Sequence, residues 1–471
     1  MSSTNKKTHY PLTGLISWFF LTASILAFVY TYYRAELIYS GQLNEHYFKY
    51  YLASLTGVVF WCVVLRLGKE VRANIVTFVI SLAVGLYGIE GALTFWEIQQ
   101  TGKRAEMAAN LGVEYDERTK LEVVKDLMLK GVDAVPSIHP SSLIGLLEAG
   151  TNREGIEDLF PLGGISNKIT VLDKETGKWV VFKSDRHGFN NPDGQWDEPN
   201  IEWVLTGDSF IQGYGSEPGE DIAGQIRNIT NNDAISLGMG GNGPLAELAT
   251  LLEYGTSTKS KKILWTYFEG NDLLNDLSRE KDSPLLKRYL ENGFSQNLIN
   301  RQQEVDSVLA KYTAKAQIEA QGREQEKTTL IYKARWIKFQ AIQNLIFSRS
   351  YRTFMGTGFN SGLEVNIDPL FSKILAKAKT STEAWGGKLY FIYLPEYSRY
   401  KNITAHHQYR KKSEVIAVVK ELGIPIIDIH QEVFSAHPDP ISLFPLRLSG
   451  HYNKKGNQEV ARVIIEKTKS N

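Results

Sequence analysis

The chain has 471 residues, and 53 Lys and Arg against 52 Asp and Glu leave a formal net charge of +1. Such a length predicts two or three units rather than one, and so even a balance of charge excludes the broad basic footprint of a nucleic-acid binder. The single cysteine, Cys62, excludes an intramolecular disulfide framework and any multi-cysteine zinc site.

Three apolar stretches come first, at about residues 11–32, 51–67 and 75–95. Each approaches the roughly 20 residues a helix needs to cross hydrocarbon. None carries a charge at its centre, and Glu90 lies near the end of the third. A three-helix transmembrane anchor over residues 1–100 is therefore expected, embedded in the lipid bilayer. Cys62, inside the second stretch, reads as a small apolar membrane residue. A cleaved signal peptide is not expected, because the first stretch ends in Tyr30, Tyr32 and Tyr33 rather than in small residues. Lys6 and Lys7 precede the first stretch, and Arg66, Lys69 and Arg72 crowd the short link between the second and third. That density of positive charge predicts the link in the cytoplasm and everything after about residue 96 outside it, in the periplasm if the cell is Gram-negative.

Residues 101–200 read as an accessory segment. Helical patterns run through 99–111 and 120–130. A hairpin follows, in which Ile169-Thr-Val-Leu and Lys178-Trp-Val-Val-Phe flank the turn Lys174-Glu-Thr-Gly. Asp185-Arg-His-Gly-Phe-Asn-Asn-Pro is rich in turn formers and reads as a loop.

From residue 201 short apolar strands alternate with helical patterns. The strands are at Trp203-Val-Leu, Ala234-Ile-Ser-Leu, Ile263-Leu-Trp-Thr-Tyr-Phe, Leu389-Tyr-Phe-Ile-Tyr-Leu and Pro425-Ile-Ile-Asp-Ile. Helices are expected over 245–254, 371–379, 413–422 and 457–467. This alternation implies a parallel sheet covered on both faces, with its site at the carboxyl ends of the strands. Residues 278–355 break the plan. They are rich in Gln, Glu, Lys and Arg and read as a helical insertion, mostly solvated over 300–338.

The residues suited to chemistry sit at those strand ends. Gly207-Asp208-Ser209 follows the first strand directly, and a serine there, at a helix start, is exposed where a helix amino-terminus favours developing negative charge. Serine needs a base; His451, in Gly450-His-Tyr-Asn-Lys-Lys-Gly before the last helix, can reach the mouth of the sheet. Gly241 follows the second strand and can bring a backbone N–H to the same point. Asn271 follows the third, and its amide can donate to an oxyanion.

Ser209, Gly241, Asn271 and His451 resemble, in chain order, the four signature blocks of the SGNH/GDSL hydrolases. The resemblance covers about residues 201–271 and 385–468. It implies a flavodoxin-like three-layer α/β/α fold and acyl-ester chemistry. It also implies Ser209 as nucleophile, His451 as general base, and an oxyanion hole from the Ser209 N–H, the Gly241 N–H and the Asn271 side chain. The stretches 185–192 and 238–244 resemble bacterial membrane-tethered members linked to surface polysaccharides. Two departures stand out. The family usually carries Asp three residues before the His, where this chain has Leu448, and Glu269 replaces a frequent Gly in the third block. Asp428 and Asp439 are then candidates to orient His451, with Asp208 and Asp272 as further supporting acids.

The leading expectation is an extracytoplasmic serine esterase acting on O-acetyl esters of a cell-envelope or exported polysaccharide. The alternatives are a polysaccharide O-acyltransferase using the same two residues, and a catalytically inactive envelope scaffold or binding protein, which Leu448 and the insertion suggest. The expected partners are an acylated glycan and envelope polysaccharide assembly proteins, without nucleic acid. Neither a metal nor an organic cofactor is expected, because no His/Asp/Glu cluster has ligand spacing.

Overall fold

The computed structural model describes residues 11–38, 44–148, 159–327, 342, 367–401 and 411–469. They divide into two compact units, Met1–Glu97 with Lys333–Arg349 and Ile98–Tyr332 with Ser350–Asn471.

The first unit is helical. Its elements are α1 (Pro11–Tyr32), α2 (Asn44–Arg66) and α3 (Lys69–Asn110), the last of which runs on past residue 97. Three helices, Leu12–Leu37, Tyr47–Arg66 and Lys69–Trp96, are long and apolar enough to cross a membrane. Phe20 of α1 stacks on Trp61 of α2 with ring centroids 4.9 Å apart, while Leu12, Leu15 and Phe19 stay exposed, as suits a helix whose surroundings are lipid. Arg72 turns back and donates to the carbonyls of Val64, Leu65 and Leu67, capping the last turn of α2. Glu90 is buried and accepts the backbone N–H of Ile342 at 2.9 Å, so it lies inside its unit.

The second unit holds two sheets. Ahead of the main one come α4 (Lys120–Leu129), β1 (Ala134–Pro136), α5 (Pro140–Glu148), β2 (Ile169–Val171) and β3 (Val181–Lys183). A capping box, in which Thr119 accepts from Glu122 N and Glu122 accepts from Thr119 N, starts α4. The expected hairpin is β2–β3, and β1 adds to it in parallel as a third strand that alternation in so short a run did not reveal.

The main sheet takes β4 (Trp203–Thr206), β5 (Ala234–Ser236), β6 (Lys262–Phe268), β7 (Lys388–Leu394) and β8 (Ile426–Asp428), all parallel, in the order β5-β4-β6-β7-β8. Its helices are α6 (Ser209–Gln212), α7 (Ile222–Thr230), α8 (Pro244–Thr250), α9 (Gln302–Lys327), α10 (Pro369–Ala384), α11 (Lys412–Glu421) and α12 (Lys454–Lys469). Alternate strand residues face opposite ways. Val204, Ile235, Trp265 and Phe391 pack under α8, α10 and α11, whereas Leu205, Leu264, Tyr390 and Ile392 pack under α7 and α12. Each fully buried side chain of this size contributes roughly 1.5–3 kcal/mol, so both faces have a substantial core.

Two expectations change. No division falls near residue 200: Leu159, Phe160, Leu162 and Phe189 share one core with Val204 and Ile235, so the accessory segment is part of the sheet's own unit. The insertion is not solvated at its start either. Leu286, Tyr289 and Leu298 are buried, as are Val305 and Leu309 in the first turns of α9, because the polar composition of 300–338 hides an apolar stripe there. Its continuation over 328–355 lies outside the described residues, Ile342 excepted.

Candidate active site

The Gly207-Asp208-Ser209 turn is built by a strand that must turn in a confined space. A Cβ at Gly207 would overlap the Thr266 hydroxyl, so only glycine passes between β4 and β6. Asp208 then caps α6, accepting Phe210 N at 2.9 Å. Ser209, the first residue of α6, is thereby held at the carboxyl edge of the sheet.

His451 closes on it from the other end of the chain. Its Nε2 lies 2.6 Å from Ser209 Oγ, and its Nδ1 lies 2.9 Å from Glu175 Oε1. The other Glu175 oxygen accepts the backbone N–H of His451 at 2.8 Å. A carboxylate only accepts here, so Nδ1 carries the ring proton and Nε2 presents its lone pair to the serine hydroxyl. The side chains of His451 and Glu175 are 16% and 17% exposed, enough shielding to strengthen the charge interaction between them.

Glu175 sits in the turn of the β2–β3 hairpin, and several contacts hold it there. Asp173 accepts the Glu175 N–H at 2.9 Å and the Gly215 N–H at 3.3 Å, joining the turn to the loop after α6. Arg104, near the end of α3, donates to the Glu175 carbonyl at 3.1 Å and to the Ser449 carbonyl. A Cβ at Gly450 would overlap the Glu175 carboxylate, so the residue before His451 must be glycine for the acid to fit. Burial works against both charges. The imidazole, with help from Arg104, outweighs it and holds the Glu175 carboxyl down at about 2. For His451, burial is overcome by the charge and hydrogen bond of Glu175, then by Asp208 and Asp173, and its pKa rises above the ordinary value.

The loop after β5 runs alongside residues 207–212, with Met239 N donating to Gly207 O at 3.3 Å and Gly240 N to Gln212 Oε1 at 2.7 Å. No acceptor among the described residues takes the N–H of Gly241 or of Ser209. Asn271 Nδ2 lies 3.5 Å from Asp208 Oδ2, which is itself 3.4 Å from Ser209 Oγ, so Asp208 holds the amide toward the serine.

The remaining expected acids lie elsewhere. Asp428 pairs with Lys412, and Asp439 with Arg447; neither touches His451. Asp272 accepts Phe268 N at 2.8 Å, and burial followed by repulsion from Asp208 and Asp276 pushes its carboxyl well above the usual range. Its hydrogen bond goes to the end of β6 and not to His451. Glu269 is tied to Arg399, Tyr393 Oη and Glu396 N, which fixes the end of β6 rather than offering an acid to substrate. The stretch 185–192 is structural as well. Asp185 gathers the N–H groups of His187, Phe189, Asn191 Nδ2 and Trp196 Nε1, while Asn190 donates to Gln212 O and Asn191 to Ser236 O at 2.9 Å each.

Glu175 is the residue that sequence reasoning missed. Its only local sign is a carboxylate in a hairpin turn, and nothing in spacing ties that turn to residue 451. No protein-family model and no curated protein matches the chain.

Proposed function

We propose that the protein is a membrane-anchored serine esterase of the SGNH/GDSL type, acting outside the cytoplasm on O-acetyl esters of a cell-envelope or exported polysaccharide. The observation that carries this reading is the hydrogen-bonded line Ser209 Oγ–His451 Nε2, His451 Nδ1–Glu175. The strand order β5-β4-β6-β7-β8 supports it, being that of flavodoxin-like doubly wound sheets. In the reaction, Ser209 Oγ attacks the acyl carbonyl as its proton passes to His451 Nε2. The oxyanion is met by the N–H groups of Ser209 and Gly241 and the Asn271 amide, such a donor contributing about 3 kcal/mol. His451 then passes that proton to the departing sugar oxygen, which leaves as the hydroxyl, and water repeats the sequence to release the acid. Glu175 keeps the imidazole in the right tautomer and stabilises its transient positive charge.

The inactive-scaffold reading drew on Leu448 and on the insertion; against the first of these stands Glu175, whose carboxylate meets the imidazole from another segment. Product analysis with an acceptor sugar separates hydrolysis from transfer. The decisive test of the serine is labelling of the full chain by a fluorophosphonate. Labelling should map to Ser209, vanish in Ser209→Ala along with at least about 10⁴-fold of the activity on p-nitrophenyl acetate, and fall in His451→Ala. Label absent from wild-type Ser209 defeats the proposal.

A further inference from the structure

Glu175 and His451 come from segments far apart in the chain, and one side chain ties those segments together. Arg104, in the last turns of α3, donates through Nη1 to the Glu175 carbonyl at 3.1 Å and through Nη2 to the Ser449 carbonyl, two residues before His451. Nη2 also lies 4.0 Å from Glu175 Oε1, the oxygen that meets His451 Nδ1. The planar guanidinium fork thus spans the hairpin turn and the loop that carries the imidazole.

Both segments rest on the end of α3 and the chain that follows it. On the hairpin side, Asp116 N donates to Gly177 O at 2.7 Å, and Lys174 Nζ donates to the carbonyls of Asp116 and Arg118 at 3.0 Å each. A Cβ at Gly177 would overlap the Glu114 carbonyl, so the turn presses directly on that chain. On the other side, Leu446 and Arg447 both take left-handed backbone, with φ 52° and 55°, a conformation unfavourable for residues that carry a side chain. It persists only where the surroundings fix it. Leu446 and Leu448 are buried against Ala108, one helical turn beyond Arg104 and on the same face of α3. The polar tie and the apolar contact therefore act on one loop from one helix face.

Resting on the esterase reading, we propose that Arg104 is a positioning residue: the end of α3 braces the β2–β3 turn against residues 446–449, and Arg104 sets the distance at which the Glu175 carboxylate meets His451. It touches neither the serine nor the imidazole and acts through Glu175.

The test uses the full chain in detergent and reads the rate at which a fluorophosphonate labels Ser209. Arg104→Ala should slow labelling on the order of 10²-fold, the scale of a displacement of about 1 Å. In a Glu175→Ala background the same change should cost less than about 3-fold, since no acid is left to place. Arg104→Gln keeps part of the apolar stem and carries the same test where alanine impairs folding. The pH midpoint of labelling separates placement from charge. Removing a cation near an imidazole raises its pKa, while withdrawing the Glu175 carboxylate lowers it; Asp208 and Asp173, which also raise His451, stay in place. The midpoint should therefore fall in Arg104→Ala. An equal loss in the two backgrounds, or a midpoint that stays or rises, overturns the brace. Wild-type Ser209 that resists the probe defeats the esterase reading itself and leaves Arg104 nothing to position.

Discussion

The turn after β4 and the turn of the β2–β3 hairpin meet at one imidazole, yet they are specified in different ways. The first is written locally. A strand, a glycine with no room for a side chain, a capping Asp and then Ser209 are consecutive. The second acquires its meaning only through space, because Glu175 and His451 are 276 positions apart. A search for the missing acid near His451 stops at Leu448, and Leu448 is buried against Ala108, Met107 and Tyr115. The local slot is an apolar contact, and the carboxylate comes from a separate sheet.

That contrast can be broken most directly at the acid. Glu175 accepts both the Nδ1–H and the backbone N–H of His451, and an amide can accept only one of them through its single oxygen. Glu175→Gln should lower kcat/KM by on the order of 10³-fold. His451 must be neutral to take a proton, and its pKa is raised above 6.5. Activity should therefore rise with pH through a midpoint above that value, and the midpoint should move down in Glu175→Gln, which removes the first charge that raises it; a pH–rate profile checks both. Gly450→Ala places a methyl where the Glu175 carboxylate lies, and about a 10²-fold loss is expected, with the same downward movement of the midpoint. Leu448→Asp tests whether a carboxylate three residues before His451 can serve. It should fail to rescue Glu175→Gln and should cost roughly 3 kcal/mol in denaturant unfolding by burying a charge in an apolar cluster. Asp428→Asn and Asp439→Asn, whose carboxylates pair with Lys412 and Arg447, should stay within about 2-fold of wild type. A large loss in either would mean that the imidazole is oriented by an acid other than Glu175.

The parts legible in the chain were those with a short period or a local turn. The apolar stretches, the five parallel strands, the β2–β3 hairpin and the residues at strand ends belong here, because alternation and glycine placement record burial residue by residue. Strand β1 escaped since three residues carry too little pattern. The buried start of α9 escaped because Val305 and Leu309 are diluted among charged neighbours. The interlocking of 185–192 with Gln212 and Ser236 escaped because side-chain to backbone bonds between distant segments leave no periodic trace. Arg104 reads in sequence as one more positive charge after the third apolar stretch, and its engagement with Glu175 and Ser449 is invisible until the fold is closed.

The distance along the chain between Glu175 and His451 has a consequence for biogenesis. Closing so long a loop is entropically slow work for a folding polypeptide. Ser209 emerges with its helix cap already encoded, but His451 joins it only from the segment just before α12. A chain that stops short of residue 451 lacks the hydrogen bond to Ser209 altogether, so the pairing of the two side chains reports that the segments on either side of the sheet have closed on one another.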